Sequence, residues 1–476
     1  MEGLPPSAAS PRAVEVDIGR RTIPGLNQEN LKRVISLPQA IGIAFHQTVG
    51  GGVMALTGVA IAMTGGGTPL AYLLAALSTV IVTVPFVVLG SAMPVAGGSY
   101  TYSARLFHPF LGYFNTAFAV MAQTGLGIFG FAAGQYMHSL DPFFDPKIVA
   151  VSLISAFYVA NMFGAVISAR LGIYMAVVMI IAMGWYIVAG VAAAHGSAYP
   201  SVLPHGIGGL LRAAALLTFA MGGATSVVEL GREMKRPGRN IPITVFSATG
   251  AAALLYMGIA LATVWAAPPE AVANQPLSVA GAYFLPPAAL HFFIIGGAMV
   301  ALIGTMNAQL LAGSKGMLAA VDDGWLPHRV GAVNKRFGTP HFLLTGLYVI
   351  GLLPVLFDIP VGVLASGISG IAQFFFVLLI AASLRLRYVY PELHRAAPFR
   401  LKPWLHWTLS LIGIAVSTGQ AYLLLAPGLS LKVWIATLVA FLVIGLWGVI
   451  RYPHVRRTLA ERAKLASVAC GVPASS

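Results

Sequence analysis

The sequence has 476 residues, of which 58% are hydrophobic and only 9% are charged, whereas roughly 25% of the residues of soluble chains are charged. This composition excludes a soluble globular protein, because a water-exposed surface needs far more charge, and it indicates a chain surrounded by lipid. The net charge of +14 does not indicate a nucleic-acid-binding protein, because the basic residues lie in short clusters between apolar runs rather than along one solvated face.

Apolar stretches near the length needed to cross a bilayer, about 20 residues, follow one another along the chain. The polar segments 1–33 and 451–476 at the two ends are predicted to be cytoplasmic tails, and the first of them has no apolar core of the signal-peptide type. We predict an all-α membrane protein with about 12 transmembrane helices, at 34–63, 70–92, 111–138, 148–163, 171–194, 209–229, 241–266, 288–320, 342–357, 361–385, 404–425 and 433–450.

The distribution of basic residues predicts the orientation of these helices. With the N-terminus in the cytoplasm, 25 of the 28 lysine and arginine residues fall in the tails and in the loops on the cytoplasmic side. The exceptions are Lys147, Arg212 and Lys432. Because cytoplasmic loops of membrane proteins carry the excess of lysine and arginine, we predict a multi-pass protein of the cell (cytoplasmic) membrane with both termini in the cytoplasm.

Two of the predicted helices, the first and the sixth, contain glycine clusters near their middle. The segments are 48–54 (TVGGGVM) and 219–225 (FAMGGAT). Each glycine costs a helix interior about 1 kcal/mol relative to alanine, so these runs predict local unwinding. Unwound backbone is tolerated in a membrane protein only where it is buried or lines a watery cavity. The alternative interpretation is close packing of neighbouring helices through small residues.

Unwound backbone of this kind is suited to binding a small zwitterion. Amide groups at the start of a half-helix, with the positive end of its dipole, hold a carboxylate, and freed carbonyl groups hold an ammonium group or a sodium ion. The two clusters also open two five-helix blocks, 34–194 and 209–387, which are followed by two more helices at 404–450. Interrupted helices at matching places in two halves point to the binding site of a secondary transporter.

Four segments then indicate a family. They are GGGV at 50–53, PVAGGSYTY at 94–102, EMKRPGRNIP at 233–242, and SK at 314–315 with AVDDGWLP at 320–327. In order and spacing they resemble the amino acid–polyamine–organocation permeases, with a glycine at position 51 where that family often has serine. The resemblance implies the leucine-transporter fold, in which two five-helix repeats are inverted with respect to each other and two C-terminal helices are added.

The resemblance also implies a substrate site at the two glycine clusters. The carboxylate of an amino acid would be held by the amide groups of Gly50, Gly51 and Gly52. Phe219 stands where the family often places an aromatic gate over the substrate. The ammonium group would meet the carbonyl groups near Thr48, Val49, Phe219 and Gly222. Gly223 is the remaining residue of the predicted substrate site.

The chain departs from the family at positions that bear on coupling and substrate. Met179 stands where many proton-coupled relatives carry a lysine, so a lysine-borne proton switch is not expected. Gly127 and Ala308 stand where arginine exchangers hold the guanidinium group, so an arginine substrate is not expected.

Polar side chains within the predicted helices are further candidates, because such groups are expensive in a membrane. His46, one helical turn before the glycine cluster, is a candidate proton site or a residue that lines the inner vestibule. Thr305 and Ser314 are candidate ligands of a sodium ion, although a serine in a helix more commonly bonds its own backbone.

Two acidic residues end the sixth predicted helix. Glu229 and Glu233 are candidate proton or gate residues. Together with Arg232, Lys235 and Arg239 they are expected to form a salt-bridge network on the cytoplasmic side.

The sequence contains no enzyme motif, no metal-binding cluster and no cofactor fingerprint. We therefore predict no catalytic residue, no metal site and no cofactor beyond a coupling ion, H+ or Na+. The predicted function is secondary active transport of an amino acid or related amine by alternating access. The alternatives are an amino acid or amine exchanger of the same fold and a non-transporting solute sensor. The predicted partners are the small-molecule substrate and the lipid bilayer, without nucleic acid; the oligomeric state stays open.

Overall fold

The computed structural model describes residues 33–95, 97–164, 169–327, 329–334, 336–337, 339–426 and 431–469. Within these residues every regular element is helical and no strand is present, which agrees with the predicted all-α fold class. An isolated bridge pairs Ile35 with Met234. The predicted N-terminal tail lies outside the described residues, apart from Arg33.

The helices are numbered here in chain order. The first ten are α1 (Leu37–Thr48), α2 (Gly51–Thr64), α3 (Thr68–Ala92), α4 (Gly98–Leu106), α5 (Pro109–Ala122), α6 (Gly125–Leu140), α7 (Pro146–Met162), α8 (Ala169–Ala193), α9 (Gly206–Met221) and α10 (Ser226–Glu229). The next ten are α11 (Pro237–Ala266), α12 (Pro269–Val272), α13 (Leu277–Gly281), α14 (Pro287–Phe292), α15 (Val300–Asp322), α16 (His341–Leu356), α17 (Val361–Val389), α18 (Pro391–Ala396), α19 (Pro403–Leu425) and α20 (Leu431–Ala469).

Eight helical segments of the described chain are long and apolar enough to cross a membrane. The protein is therefore a multi-pass helical membrane protein. Two shorter apolar helices, α7 and α16, accompany them. The eight segments are Leu37–Ala92, Pro109–Leu140, Tyr174–Ala193, Gly206–Glu229, Pro237–Ala266, Pro287–Leu310, Val361–Val389 and Pro403–Leu425.

The hydrophobic core lies where α2, α3, α6, α9, α11 and α15 meet. Small residues on α3, α9 and α11 let these helices approach closely. Fully buried tyrosines there have hydrogen-bond partners, which offsets the cost of burying a hydroxyl group. Their oxygens lie 2.8 Å from Thr57 Oγ1 for Tyr72, 3.2 Å from the Met54 carbonyl for Tyr136, and 2.9 Å from Thr263 Oγ1 for Tyr186.

Irregular backbone is concentrated in this core. The chain leaves helical geometry at Val49 and Gly50, between α1 and α2. A 3-10 turn, Gly222–Thr225, joins α9 to α10, and a π-helical segment, Phe293–Met299, precedes α15. Irregular backbone at membrane depth survives only inside protein or beside a cavity, and π-helical turns are frequent at functional sites. This region is therefore the place to look for a binding site.

Loops at one end of the helices form a surface that we call the basic face, made of residues 33–36, 93–95, 97, 230–236, 323–327 and 390–402. Backbone bonds hold these loops together: the amide of Ile35 donates to the carbonyl of Glu233 at 3.0 Å, and the amide of Gly97 donates to that of Glu229 at 3.2 Å. The opposite face carries the ion pair between Lys147 and Asp358, whose atoms lie 2.7 Å apart.

The helix bounds differ from the sequence prediction in two places. The helix predicted at 111–138 is two helices, α5 and α6, separated by a turn at Gln123 and Thr124. The last helix, α20, extends to Ala469, well past the predicted end at 450. Hydropathy marks where the apolar run stops, whereas helical hydrogen bonding continues through the charged residues that follow.

Candidate functional site

The first predicted helix is interrupted at Val49 and Gly50, as the glycine cluster predicted. Gly50 adopts φ −141° and ψ −144°, and its amide donates to the carbonyl of Thr48 at 2.9 Å. An added Cβ on Gly50 would lie 2.0 Å from the hydroxyl oxygen of Thr305. A side chain at this position would therefore displace the Thr305 hydroxyl, to which the Gly51 amide donates.

The hydroxyl group of Thr305, which belongs to α15, lies at the N-terminus of α2, the second half of the interrupted helix. Its Oγ1 accepts a hydrogen bond from the amide of Gly51 at 2.8 Å and donates to the carbonyl of Ala301 at 2.8 Å. The first amide groups of a helix lack intrahelical partners and attract oxygen acceptors. The hydroxyl oxygen thus stands where an oxygen of a bound carboxylate would stand.

The other two glycines of the cluster are packed against neighbouring helices. A Cβ on Gly51 would lie 2.5 Å from Phe129 Cδ1 and 2.9 Å from Leu302 Cδ2, and one on Gly52 would lie 2.8 Å from the Cα of Ala220. Close packing, the alternative interpretation of the glycine cluster, therefore describes this conformation. The amides of Gly50 and Gly51 have partners within the protein.

The carbonyl group of Thr48, predicted to meet an ammonium group, accepts a hydrogen bond from the hydroxyl of Tyr256 on α11. Tyr256 is fully buried and its ring lies 5.3 Å from that of Tyr72. Sequence reasoning missed Tyr256. The available signal was a tyrosine in the middle of an apolar helix, whose hydroxyl group must find a partner.

The sixth predicted helix is tightened rather than unwound, so the unwinding expected at Gly222 and Gly223 is wrong. Gly222 has φ −72° and ψ −13°, which is right-handed helical geometry, within the 3-10 turn Gly222–Thr225. The i→i+3 pattern of such a turn keeps backbone groups paired where lipid offers no partners. Gly223 packs on α1, where its Cβ would lie 2.1 Å from the Gln47 carbonyl oxygen, whereas a Cβ on Gly222 would meet nothing within 4 Å.

Gly222 and Phe219 line a cavity of about 200 Å³ between α3, α5, α9, α17 and α19. None of the described residues that line it is charged. Three buried atoms of its wall make no hydrogen bond within the described chain, and buried polar groups normally have partners. A polar, uncharged ligand would satisfy them. These atoms are Thr79 Oγ1, Ser369 Oγ and Gln373 Oε1.

Two phenylalanines separate this cavity from the glycine cluster. The rings of Phe219 and Phe129 lie 6.0 Å apart at 30°, and Phe129 in turn covers Gly51. Phe219 therefore lies between the cavity and Phe129, which covers Gly51 of the interrupted helix. Phe129 was not predicted, because nothing in a phenylalanine of an apolar helix marks it as functional.

His46 lies one turn before the interruption, against α15. A Cβ on Gly304 would lie 2.3 Å from His46 Nε2, so the imidazole sits directly over that glycine, next to Thr305. His46 Nδ1 is buried and makes no hydrogen bond within the described chain. The histidine is thus near both the interruption and Thr305, the first of the predicted ion ligands.

Ser314, the second predicted ion ligand, lies nine residues after Thr305 on α15. At about 1.5 Å per residue this places it about 13 Å further along the helix. One ion cannot therefore contact both residues. The side chain of Ser314 lies outside the described part of the structure.

Glu229 ties the end of the sixth predicted helix to α4. Its carboxylate accepts hydrogen bonds from the amide of Ser99, at 3.1 and 3.3 Å, and from the Ser99 hydroxyl. A carboxylate at the first turn of a helix is favoured by the helix dipole. In the described chain the hydrogen bonds of the Glu229 carboxylate come from the neutral Ser99 rather than from the basic residues predicted as its partners. Glu233 contributes its backbone carbonyl to the amide of Ile35.

The same α4 is joined to the end of α15. The Tyr100 hydroxyl donates to Asp323 Oδ2 at 2.5 Å and accepts from Trp325 Nε1 at 3.0 Å. Arg105 lies 4.0 Å from the same carboxylate. Burial and the neighbouring Asp323 hold the pKa of Tyr100 well above its ordinary value, so the phenol remains protonated and keeps donating. Three of the segments that indicated a family thus meet at the basic face.

No group of three or more His, Cys, Asp or Glu side chains able to hold a metal ion occurs among the residues that the structure describes. The polar groups that the structure brings to the interrupted helix are backbone amides and carbonyls and the hydroxyls of Thr305 and Tyr256, with the imidazole of His46 beside them.

Comparison with known proteins identifies relatives over most of the chain. An uncharacterized transporter of Mycobacterium tuberculosis is 29% identical over 323 residues, which is 66% of this chain and 71% of the relative. A methylthioribose transporter of Bacillus subtilis is 26% identical over 87% of this chain and 94% of its own length. A vacuolar cationic amino acid transporter of Arabidopsis thaliana is 26% identical over 79% of this chain and 66% of its own length.

The family model described as amino acid permease matches residues 35–450. The match includes the interrupted helix, the cavity, and the loops that meet at the basic face. These relatives are transporters, which confirms the prediction that the chain is not an enzyme. The chain belongs to the amino acid permease family.

Proposed function

We propose that this transporter is a secondary active permease that moves an amino acid or related amine across the cytoplasmic membrane by alternating access. The observation that carries the proposal is the hydrogen bond from the Gly51 amide to Thr305 Oγ1 at the buried interruption. It places an exchangeable oxygen on the first amide of a helix, at the position where a carboxylate is best stabilised.

Substrate binding then proceeds by exchange of partners. The substrate carboxylate replaces the Thr305 hydroxyl on Gly51, and the ammonium group replaces the Tyr256 hydroxyl on the Thr48 carbonyl. Exchanging one hydrogen bond for another has a small net free energy. The path leads from the cavity of about 200 Å³ past Phe219 and Phe129, so these two rings serve as the gate.

The proposed architecture is twelve crossings arranged as two inverted five-helix repeats and two further helices. The 56-residue apolar segment Leu37–Ala92 is long enough for two crossings of about 20 residues each. Its two parts are α1 with α2, and α3. The shorter apolar helices α7 and α16 and the last helix α20 supply the remaining three crossings.

The coupling ion is proposed to act beside the interruption. His46 and Thr305 occupy neighbouring positions there, since the imidazole covers Gly304. An imidazole titrates near neutral pH and suits proton coupling, whereas a hydroxyl oxygen suits sodium. No other cofactor is proposed.

A second candidate function is transport of an uncharged, hydroxylated solute. The observation that favours it is the cavity, whose described lining carries hydroxyl and amide groups but no charge, with three buried oxygens that lack partners in the described chain. The relative from Bacillus subtilis is named for methylthioribose, a compound of this chemistry. In this case the solute binds in the cavity itself and the glycine cluster serves only packing.

Uptake into proteoliposomes tests both candidates. The panel contains neutral and cationic amino acids, a polyamine and methylthioribose, with proton and sodium gradients imposed separately. We expect uptake of an amino acid that the Gly51→Leu variant abolishes. Gly42→Leu is the matched control, because Gly42 lies on the same predicted helix and a Cβ there meets nothing within 4 Å.

The two candidates give opposite results in a second variant. Gln373→Leu removes a polar group from the cavity wall and should reduce uptake of an uncharged solute while leaving amino acid binding at Gly51 in place. Uptake of methylthioribose alone would replace the first candidate by the second. Undiminished amino acid uptake by Gly51→Leu would contradict the proposed site.

A further inference from the structure

A second cavity, of about 490 Å³, opens at the basic face between the end of α17, α18 and the start of α19. It lies apart from the candidate substrate site, and none of the residues of that site lines it. All the charged side chains among its described lining are basic. These side chains are Arg387, Arg395, Arg400 and Lys402, with His394 beside them.

These cations have no acidic partner in the described chain. Two ion pairs of a lysine or arginine lie elsewhere in the described chain: Lys147 pairs with Asp358, and Arg105 pairs with Asp323. One guanidinium is fixed by a neutral group, since Arg400 Nη1 donates to the Arg395 carbonyl at 2.9 Å. Like charges held together repel one another, so this pocket is set up for an anion.

The excess of basic residues on one face of a membrane protein orients its loops, but it does not require them to converge on a concave pocket. Here the loop that carries Arg400 is held in place. The amide of Phe399 donates to Ser91 Oγ at 3.1 Å, and the same hydroxyl donates to the carbonyl of Gly238 at 2.7 Å. The pocket is therefore anchored to α3 and α11.

Two histidines support the same interpretation. The rings of His394 and His406 are stacked 6.5 Å apart, and the Nδ1 atom of each is buried without a hydrogen bond in the described chain. His406 is oriented by its Nε2, 3.0 Å from Ser383 Oγ. Burial lowers the pKa of His394, and the nearby Arg387 and Arg400 lower it further, as expected beside clustered positive charges.

The edge of the pocket faces the membrane interface. Trp404 and Trp407, in the first turns of α19, are 65% and 41% exposed, and exposed tryptophans are typical of the headgroup level. Basic pockets between helix ends at this level bind acidic headgroups. Arginine side chains match the geometry of phosphate oxygens.

We propose that this pocket binds a phosphate group, supplied by the headgroup of an acidic phospholipid or by free phosphate. The guanidinium groups of Arg395 and Arg400 provide the principal contacts, with Lys402 and Arg387 completing the positive wall. Binding joins the end of α17 to the start of α19. Since α17 and α19 also line the central cavity, the bound anion stabilises the walls of that cavity.

The test uses the full-length protein in uncharged detergent. Its melting temperature is measured with phosphatidylglycerol, with phosphatidylcholine, with inorganic phosphate, and with chloride at the same ionic strength. We expect phosphatidylglycerol or phosphate to raise the melting temperature by about 2–4 °C relative to its control. An effect of phosphatidylglycerol alone identifies the lipid as the source, and an equal effect of inorganic phosphate identifies the free anion.

Two double variants decide whether the pocket is responsible. Arg395→Gln with Arg400→Gln should remove the shift. Arg456→Gln with Arg457→Gln removes the same charge from exposed positions of α20 and should retain it. Equal losses in both variants would mean diffuse attraction to a basic surface and would overturn the proposal. So would the absence of any shift in the unmodified protein.

Discussion

Thr305 is the residue on which the proposed recognition of substrate depends. Its hydroxyl oxygen accepts from the Gly51 amide at 2.8 Å and is buried between α2 and α15. If a carboxylate takes that place, the hydroxyl is a competitor of the substrate. Removing the hydroxyl should therefore weaken the unliganded protein and strengthen binding at the same time.

The variant Thr305→Val tests this competition. We expect it to lower the stability of the unliganded protein by about 1–3 kcal/mol, because the Gly51 amide is left buried without a partner. The added stability given by substrate should be larger than in the unmodified protein. Thr305→Ser, which keeps the hydroxyl, is the matched control. Thermal melts with and without substrate measure both effects; a smaller substrate shift in Thr305→Val would show that the hydroxyl assists binding instead.

At this scale the sequence identified one side of each contact but not its partner. Gly50 and Gly51 were predicted from a run of glycines that weakens a helix. Phe129, Thr305 and Tyr256 come from three other helices, and their approach depends on packing. No local pattern reports such packing, so Phe129 and Tyr256 were missed, and the contact of Thr305 with Gly51 was not foreseen.

Among the elements, α4 connects the moving parts of the proposed mechanism. Its N-terminus is capped by Glu229 at the end of the sixth predicted helix, and its Tyr100 bonds Asp323 beyond the end of α15. These contacts close the basic face. Weakening the first of them should favour a state in which the central cavity opens to that face.

Glu229→Gln is expected to increase access to the cavity about tenfold, because it removes a charge-assisted hydrogen bond. The reporter is Gly222→Cys, since that position lines the cavity and has room for a side chain. It is introduced together with Cys470→Ser, because Cys470 is the only native cysteine. The rate of labelling by a thiol reagent is measured. Glu233→Gln should leave the rate unchanged, and an equal increase in both variants would contradict the assignment.

The two glycine clusters show what the sequence can predict about an element. In the first helix three successive glycines meet a close neighbour, and the helix is interrupted. In the sixth, Gly222 keeps right-handed dihedral angles, and the chain tightens to a 3-10 turn that includes Gly223. Composition alone does not distinguish these outcomes, because the decisive factor is whether a partner such as Thr305 accepts the freed amide.

For the whole molecule, the uneven distribution of lysine and arginine predicts how the helices are oriented in the membrane. Of the 28 lysine and arginine residues, 25 belong to segments assigned to one side. Contacts such as those of Ile35 with Glu233 and of Gly97 with Glu229 bring several of these segments together at the basic face. The apolar runs were sufficient to predict a multi-pass helical membrane protein, whereas the number of crossings and their orientation stay predictions.

Cysteine labelling in intact cells tests the orientation, again with Cys470→Ser. Ala198 and Glu392 are exposed residues on the two opposite faces. Because lysine and arginine are retained on the cytoplasmic side, a membrane-impermeant maleimide should label Ala198→Cys directly. It should label Glu392→Cys only after the cells are permeabilised. The reverse pattern would place the basic face outside.

The π-helical segment Phe293–Met299 sets the rotation of everything that follows it on the same helix. One residue fewer in that segment would turn α15 by about 100°. Thr305 would then face away from Gly51 while the earlier residues kept their contacts with α8. In this permease a single residue inserted outside the recognition site thus decides which side of the helix is presented to the cargo.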